Sequence, residues 1–115
     1  MIVSIGQFKI SERGNLFSFL KMSKQIEAEA RQYEGNISVQ LSGGKTGTFL
    51  VLTLWKDVES MKRFSQNGIH KIALGKSEDM ANEIQLLFYE SSDAPTIEEA
   101  QQIIETHKET RVMKY

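Results

Sequence analysis

The stretch TFLVLTLWKDVESMKRFSQNGIHKIALG, residues 48–75, holds a strand pattern and a helix pattern in direct succession. Its first eight residues are almost all apolar, which predicts a β-strand that ends at Trp55. Asp57 then stands where its carboxylate can accept backbone N–H bonds from a first helical turn, and Val58 and Phe64 recur at helical spacing. A buried strand that leads directly into an amphipathic helix is therefore the unit from which we predict the fold.

On both sides of this unit the spacing of the apolar residues changes several times between that of a strand and that of a helix. Each change marks the start of another predicted element. The elements are a strand at 2–10, a helix from Leu16 to Gly35 capped by Ser11 or Asn15, a strand at 36–42, the strand at 48–55, the helix from Val58, a strand at 83–90, and a last helix opened by a Thr96–Glu99 capping box. This order predicts an α+β, ferredoxin-like β-α-β-β-α-β fold with an antiparallel sheet and an extra C-terminal helix. We predict a domain at 1–92 and a C-terminal helical extension at 93–115 packed on that domain.

The segment GGKTG, residues 43–47, resembles part of a phosphate-binding loop. Such a loop also needs a glycine where Val39 stands, and a helix after the lysine where this chain continues as a strand. We therefore interpret the segment as a turn that joins two antiparallel strands into a hairpin.

Composition excludes several classes of protein. The chain has 115 residues, enough for one domain, and its net charge of -1 gives no reason to expect nucleic acid as a partner. It has no cysteine, and its two histidines are far apart, so we predict no metal site. Because it has neither a signal-peptide pattern nor an apolar run of about 20 residues, we expect no membrane association and a cytoplasmic location.

An RNA-recognition module shares the same order of elements and is the first alternative. That module stacks bases on aromatic side chains at alternate positions of its third strand and needs a basic sheet surface. The strand at 48–55 offers mainly aliphatic residues there, and the net charge is slightly acidic. The sequence therefore argues against this alternative.

The strand at 48–55 is apolar on both of its faces, since Phe49, Val51 and Trp55 alternate with leucines. In a ferredoxin-like domain the two main helices cover only one face of the sheet, yet strands that are apolar throughout are covered on both. A second copy of the chain, packed sheet against sheet, would cover the other face. We therefore predict a homodimer.

This architecture, with LTLWKDVESMKRFSQNGIHKIA leading out of the third strand, resembles the antibiotic biosynthesis monooxygenase family of dimeric α+β barrels. The residues that carry the resemblance are Trp55 at the end of the strand, the capping Asp57, and Phe64, His70 and Ala73 on the second helix. The segment EGNISVQL also resembles the turn into the family's second strand, and the resemblance covers roughly residues 1–92. It implies a dimeric barrel with a cavity for a small molecule.

The family contains cofactor-free oxygenases of aromatic polyketides as well as haem-degrading enzymes. In the haem-degrading branch an Asn, a Trp and an axial His act at the positions that Gln7, Phe64 and Leu74 occupy here. Leucine cannot bind iron, although His70 lies one helical turn from Leu74. No nucleotide-binding fingerprint occurs either, so we predict that the protein uses no cofactor.

Two interpretations remain open for the residues singled out. Trp55 and His70 can be ordinary packing, or they can line a cavity in which His70 is the catalytic base for a phenol or enol. In the second interpretation Gln7 is also catalytic and, with Trp55, stabilises the oxyanion. The substrate-binding candidates are Trp55, Phe64, Tyr33 and Asn67.

Two functions follow from these interpretations. The first is a cofactor-independent monooxygenase that acts on a small aromatic or quinone-type molecule, with His70 as the base. The alternative is a non-catalytic small-molecule-binding or stress-response dimer that keeps the barrel without the chemistry, and haem degradation is a further variant. A cavity in which His70 and Gln7 converge on one open volume would indicate the first function, and a cavity filled by side chains would indicate the second.

Overall fold

In the computed structural model the described residues are 1–10, 13–43, 47–66, 83–106 and 111–114. The helices and strands among them follow the predicted order, with one addition at the C-terminus. They are β1 (Ile2–Lys9), α1 (Arg13–Gln32), β2 (Asn36–Gly43), β3 (Thr48–Trp55), α2 (Val58–Gln66), β4 (Glu83–Glu90), α3 (Ile97–Thr106) and β5 (Arg111–Lys114).

The strands form one antiparallel sheet in the order β2-β3-β1-β4-β5. The first four positions in this order are those of a ferredoxin-like fold, so the predicted fold class is confirmed. The hairpin between β2 and β3 is confirmed as well, because the two strands pair in antiparallel register. The strand β5 was not predicted: its four residues, RVMK, are too few to show a period, and only the edge of β4 makes them a strand.

The ends of the helices are set by local hydrogen bonds and by one glycine. Asp57 Oδ1 accepts the Ser60 backbone N–H at 2.8 Å, which confirms Asp57 as the cap of α2. Gly35 follows α1 with a φ of 91°, and a side chain there would collide with Ser60, so this turn requires glycine. The helix α1 begins at Arg13, so Asn15 lies inside it and is not its cap, contrary to one of the two predictions.

The helices α1 and α2 pack on the same face of the sheet, which we call the two-helix face. Its buried residues are Ile2, Phe8, Ile10, Phe19, Met22, Ala30, Val39, Phe49, Trp55, Met61, Phe64 and Ile84. Because paired residues of neighbouring antiparallel strands point the same way, the register of Ile2 with Trp55 places both on this face. The prediction that both main helices cover one face is confirmed.

The opposite side of the sheet, which we call the α3 face, is covered by the C-terminal helix of the same chain. The cluster there consists of Val3, Ile5, Leu50, Leu52, Leu54 and Leu87 from the strands and Ala100 and Ile104 from α3. The leucines of β3 are at most 7% exposed without any second chain. The argument for a second copy was therefore wrong, because α3 of the same chain already buries these residues. The homodimer itself stays a prediction.

Candidate functional site

Three aromatic side chains meet at one end of the two-helix face. The rings of Trp55 and Phe64 lie 5.2 Å apart between centroids, and Tyr33 meets Phe64 edge-on at 5.1 Å. Trp55 is 1% exposed and Phe64 is 4% exposed, whereas Tyr33 is half-buried. The Trp55 and Phe64 rings are tilted by 31° to each other, and the Tyr33 and Phe64 rings by 80°, which are favourable arrangements of aromatic pairs. We call these three residues the aromatic cluster.

Each member of the aromatic cluster is positioned by a different element. Trp55 is the last residue of β3, Phe64 lies on α2, and Tyr33 directly follows the end of α1. The cap of α2 fixes the start of the helix that carries Phe64. The backbone N–H of Ser60, followed by its hydroxyl, holds the pKa of the Asp57 carboxyl below its ordinary value by donating hydrogen bonds to the charged form.

The indole N–H of Trp55 already has a partner. Trp55 Nε1 donates a hydrogen bond to Thr53 Oγ1 at 3.1 Å. The predicted use of this N–H to stabilise a substrate oxyanion therefore competes with an existing bond. In this geometry Trp55 supplies an apolar ring to the aromatic cluster and no free donor.

Gln7 lies on the other side of the sheet from the aromatic cluster. In β1 it faces the α3 face, paired across the strands with Leu50 and Gln85. Its side chain is 2% exposed, and the Oε1 atoms of Gln7 and Gln85 are buried without accepting a hydrogen bond from any residue that the structure describes. The sheet separates Gln7 from Trp55, so the two cannot hold one oxyanion within a single chain.

Glu29 is a candidate that sequence reasoning missed, because the segment around it was interpreted as a solvated helix face. Its Oε2 atom is buried and accepts no hydrogen bond from the described part of the chain. It lies on α1, whose last residue, Gln32, directly precedes Tyr33. No signal in the sequence distinguishes it from the solvated acidic residues of the same helix.

His70 and Asn67, the predicted base and one predicted substrate-binding residue, lie outside the described residues, as do Leu74 and His107. Phe64, Tyr33 and Trp55, which were predicted to bind substrate, are brought together by the structure. The role of each of these residues in binding or catalysis remains a prediction.

The described residues contain neither a candidate metal centre nor a helix that could span a membrane. No group of three or more histidine, aspartate or glutamate side chains in these ranges could hold a metal ion. Of the helices in the described ranges, none combines the length and the apolar character that crossing a membrane requires.

Comparison with solved structures identifies the fold. A candidate antibiotic biosynthesis monooxygenase from Deinococcus radiodurans has a TM-score of 0.74 at 19% identity, covering 84% of this chain and 98% of its own. One from Nitrosomonas europaea has a TM-score of 0.72 at 12% identity, covering 81% of this chain and 100% of its own. SnoaB from Streptomyces nogalater, named a cofactor-independent oxygenase, has a TM-score of 0.68 at 9% identity, covering 81% of this chain and 94% of its own.

No protein-family model and no curated protein matches the sequence. At identities this low, a structural likeness establishes the fold and leaves the activity open. It agrees with the resemblance that the third strand and second helix carry in the sequence. The chain thus has the fold of the antibiotic biosynthesis monooxygenase structures.

Proposed function

We propose that the protein is a cofactor-independent oxygenase that acts on a small aromatic or quinone-type molecule. The observation that carries this proposal is the aromatic cluster on the two-helix face, with Tyr33 half-buried at its outer edge. The fold it shares with SnoaB, a named cofactor-independent oxygenase, supports the reaction class by analogy.

The chemistry follows from what oxygen requires. Molecular oxygen reacts with electron-rich carbon, and removal of a proton from an enol or phenol makes a ring system electron-rich without a cofactor. In a substrate with a reactive ring methylene, one oxygen atom becomes the carbonyl oxygen of that carbon. The other oxygen atom leaves as water with the two hydrogens of the methylene.

Residues of this chain supply a base and an apolar wall. Phe64 and Trp55 form the wall against which the substrate ring lies, and Tyr33 lies where the ring enters. His70 is the proposed base, because an imidazole side chain can accept a proton near neutral pH. It follows Phe64 by six residues along the chain. Gln7 is left out of the proposed site because it lies on the α3 face.

The proposal is tested by oxygen uptake with anthrone as a model substrate. Wild type should exceed the buffer blank, and His70→Ala should lower the rate by about 10²–10⁴, the usual loss when a general base is removed. His107→Ala removes the chain's other histidine and is the matched control, with an unchanged rate. A wild-type rate equal to the blank, or full activity in His70→Ala, would contradict the proposal.

One observation favours the alternative, a non-catalytic small-molecule-binding protein. Neither of the two predicted oxyanion donors is available at the aromatic cluster, because Gln7 lies on the α3 face and the Trp55 N–H is bonded to Thr53. For this alternative we expect aromatic ligands to bind without any oxygen uptake above the blank. Binding and uptake measured on the same preparation therefore separate the two functions.

The homodimer remains part of the proposal as a prediction. Since α3 buries the second sheet face within one chain, a dimer through that face requires α3 to move or to exchange between copies. Light scattering that finds twice the 13.1 kDa of one chain would support it.

A further inference from the structure

One cross-strand row of the two-helix face is open to solvent. It consists of Thr53 on β3, Ser4 on β1 and Phe88 on β4, which are partners in the register of the sheet. Thr53 and Ser4 are half-buried, and the Phe88 ring is 56% exposed. In the next row on this face Ile2 and Trp55 are at most 5% exposed. A ligand can therefore reach the sheet at the open row, directly beside the buried ring of Trp55.

The hydroxyl of Thr53 is joined to the aromatic cluster by a hydrogen bond. Trp55 Nε1 donates to Thr53 Oγ1 at 3.1 Å. Because a hydroxyl group both accepts and donates, Thr53 keeps its own O–H for another acceptor. A hydroxyl that accepts one hydrogen bond is polarised and donates a stronger one. Trp55, which has no free donor, can thus still strengthen the donor on Thr53.

Ser4 supplies a second hydroxyl next to that of Thr53. Directly opposite residues of antiparallel strands have Cβ atoms about 4.5–5.5 Å apart and point to the same side, so both hydroxyls can reach one atom between them. Within the described part of the chain no residue accepts a hydrogen bond from either hydroxyl. The row that follows on this face, Val51, Gly6 and Leu86, carries no polar side chain. We call Thr53 and Ser4 the hydroxyl pair.

We propose that the hydroxyl pair binds an acceptor oxygen of the ligand, a carbonyl or an oxyanion, and that Trp55 is a positioning residue that orients the Thr53 hydroxyl. This inference rests on the proposed function. It assigns to the hydroxyl pair the oxyanion-binding role that was predicted for Gln7 and Trp55. Neutral donors stabilise a developing oxyanion without changing their own charge, and an apolar floor beside them strengthens the interaction.

Isothermal titration calorimetry with 1,4-naphthoquinone and naphthalene tests the binding of the oxygen. Both probes have the same fused rings, and only the quinone carries acceptor oxygens; the chain has no cysteine for a quinone to modify. Thr53→Val removes the hydroxyl and keeps the branched shape, so it should weaken quinone binding by about threefold to tenfold, the usual worth of one neutral hydrogen bond. It should not weaken naphthalene binding. Thr53→Ser keeps the hydroxyl and should bind the quinone within about twofold of wild type.

Ser4→Ala should weaken quinone binding in the same way and likewise spare naphthalene. The matched control is Thr48→Val, the same substitution at a half-buried position of β3 that lies on the other side of the sheet, opposite Lys9. It should leave both affinities within about twofold of wild type. Thermal unfolding of each variant checks that the fold is kept.

The positioning role of Trp55 is tested by oxygen uptake with anthrone. Thr53→Val should lower kcat by about 10²–10³, the usual loss when one oxyanion donor is removed, with a smaller change in KM. Trp55→Phe keeps a ring and removes the N–H, so it should lower kcat by less. Because the N–H acts through the Thr53 hydroxyl, the double variant should lose no more than Thr53→Val alone.

Each outcome bears on a different claim. If Thr53→Val binds the quinone as wild type does, the hydroxyl pair is only solvated and the inference is overturned, while the aromatic site still stands. If Thr53→Val weakens both probes alike, Thr53 is structural and the inference fails.

The remaining outcomes separate Trp55 and the oxygenase from the hydroxyl pair. If the losses in kcat of Thr53→Val and Trp55→Phe simply add, Trp55 is not a positioning residue. If wild type binds neither probe, the inference and the aromatic site are both overturned. If wild type shows no oxygen uptake, the oxygenase is overturned, and the two affinities still decide whether the hydroxyl pair binds the oxygen.

Discussion

The two faces of the sheet are built from the same strands but are filled differently. On the α3 face the fully buried residues of the cluster are all aliphatic, with leucines of β3 packed against Ala100 and Ile104, and the half-buried Tyr89 is the one aromatic residue described against them. On the two-helix face aromatic rings contact one another, and Glu29 on the flanking helix keeps a buried oxygen without a described donor. Aliphatic side chains offer a ligand only apolar surface, whereas aromatic rings also offer directional contacts to another ring.

This difference indicates that the α3 face and the two-helix face have different roles. The α3 face is closed by its own helix and contributes stability. Of the candidates among the described residues, Trp55, Phe64 and Tyr33 lie on the two-helix face and Gln7 lies on the α3 face. The buried amides of Gln7 and Gln85 are the exception on the α3 face, and variants on that side can test the distinction.

The largest expected effect comes from Ile104→Asp. Ile104 is 1% exposed in the α3 cluster, and truncation of a buried isoleucine alone costs roughly 2–5 kcal/mol. An aspartate must in addition bury its charge or release α3 from the sheet. We therefore expect the free energy of unfolding in urea to fall by at least about 3 kcal/mol.

Gln101→Asp places the same side chain at an exposed position of α3 and should change stability by less than about 0.5 kcal/mol. If Ile104→Asp releases α3, light scattering should also detect an increase in mass as exposed sheet faces pair. An unchanged stability would mean that α3 is not the cover of this face.

A smaller effect, of opposite sign, is expected from Gln7→Leu. Its buried amide oxygen has no described partner, so an aliphatic side chain in its place should raise the free energy of unfolding by about 1 kcal/mol. Gln40→Leu, an exposed position of β2, should have little effect. A loss of stability in Gln7→Leu would show that the Gln7 amide forms a stabilising hydrogen bond. It would also weaken the contrast between the α3 face and the two-helix face.

The smallest effect concerns pH and the start of α2, which carries Phe64 to the two-helix face. The Ser60 N–H lowers the pKa of Asp57, so the folded state favours the charged carboxylate more than the unfolded state does. The resulting stabilisation is complete above the ordinary pKa of 3.8 and is lost as the pH falls through the lowered pKa. Asp57→Asn keeps a capping oxygen but cannot titrate.

Urea unfolding of both proteins between about pH 6 and pH 2 measures this effect. The difference in stability between wild type and Asp57→Asn should be constant at the higher pH values and should decline below pH 3.8. A difference that stays flat over the whole range would show that the cap is not sensitive to charge.

Much of the fold could be predicted because it depends on local and periodic features. The strands at 48–55 and 83–90 have the predicted bounds, since runs of apolar residues between turn residues are sufficient to specify a strand. Asp57 and the Thr96–Glu99 box act as predicted, because capping joins residues only three positions apart.

What depends on contacts between distant segments was decided only in three dimensions. The sequence determined that both faces of β3 must be covered, but only packing decided that α3 of the same chain covers one of them. The side of the sheet that Gln7 faces depends on the register of β1, because a shift of one residue reverses every side chain. The burial of the Glu29 Oε2 atom likewise results from the packing of α1 within the fold, since a charged residue at the edge of a helical stripe has the same local pattern whether it is solvated or buried.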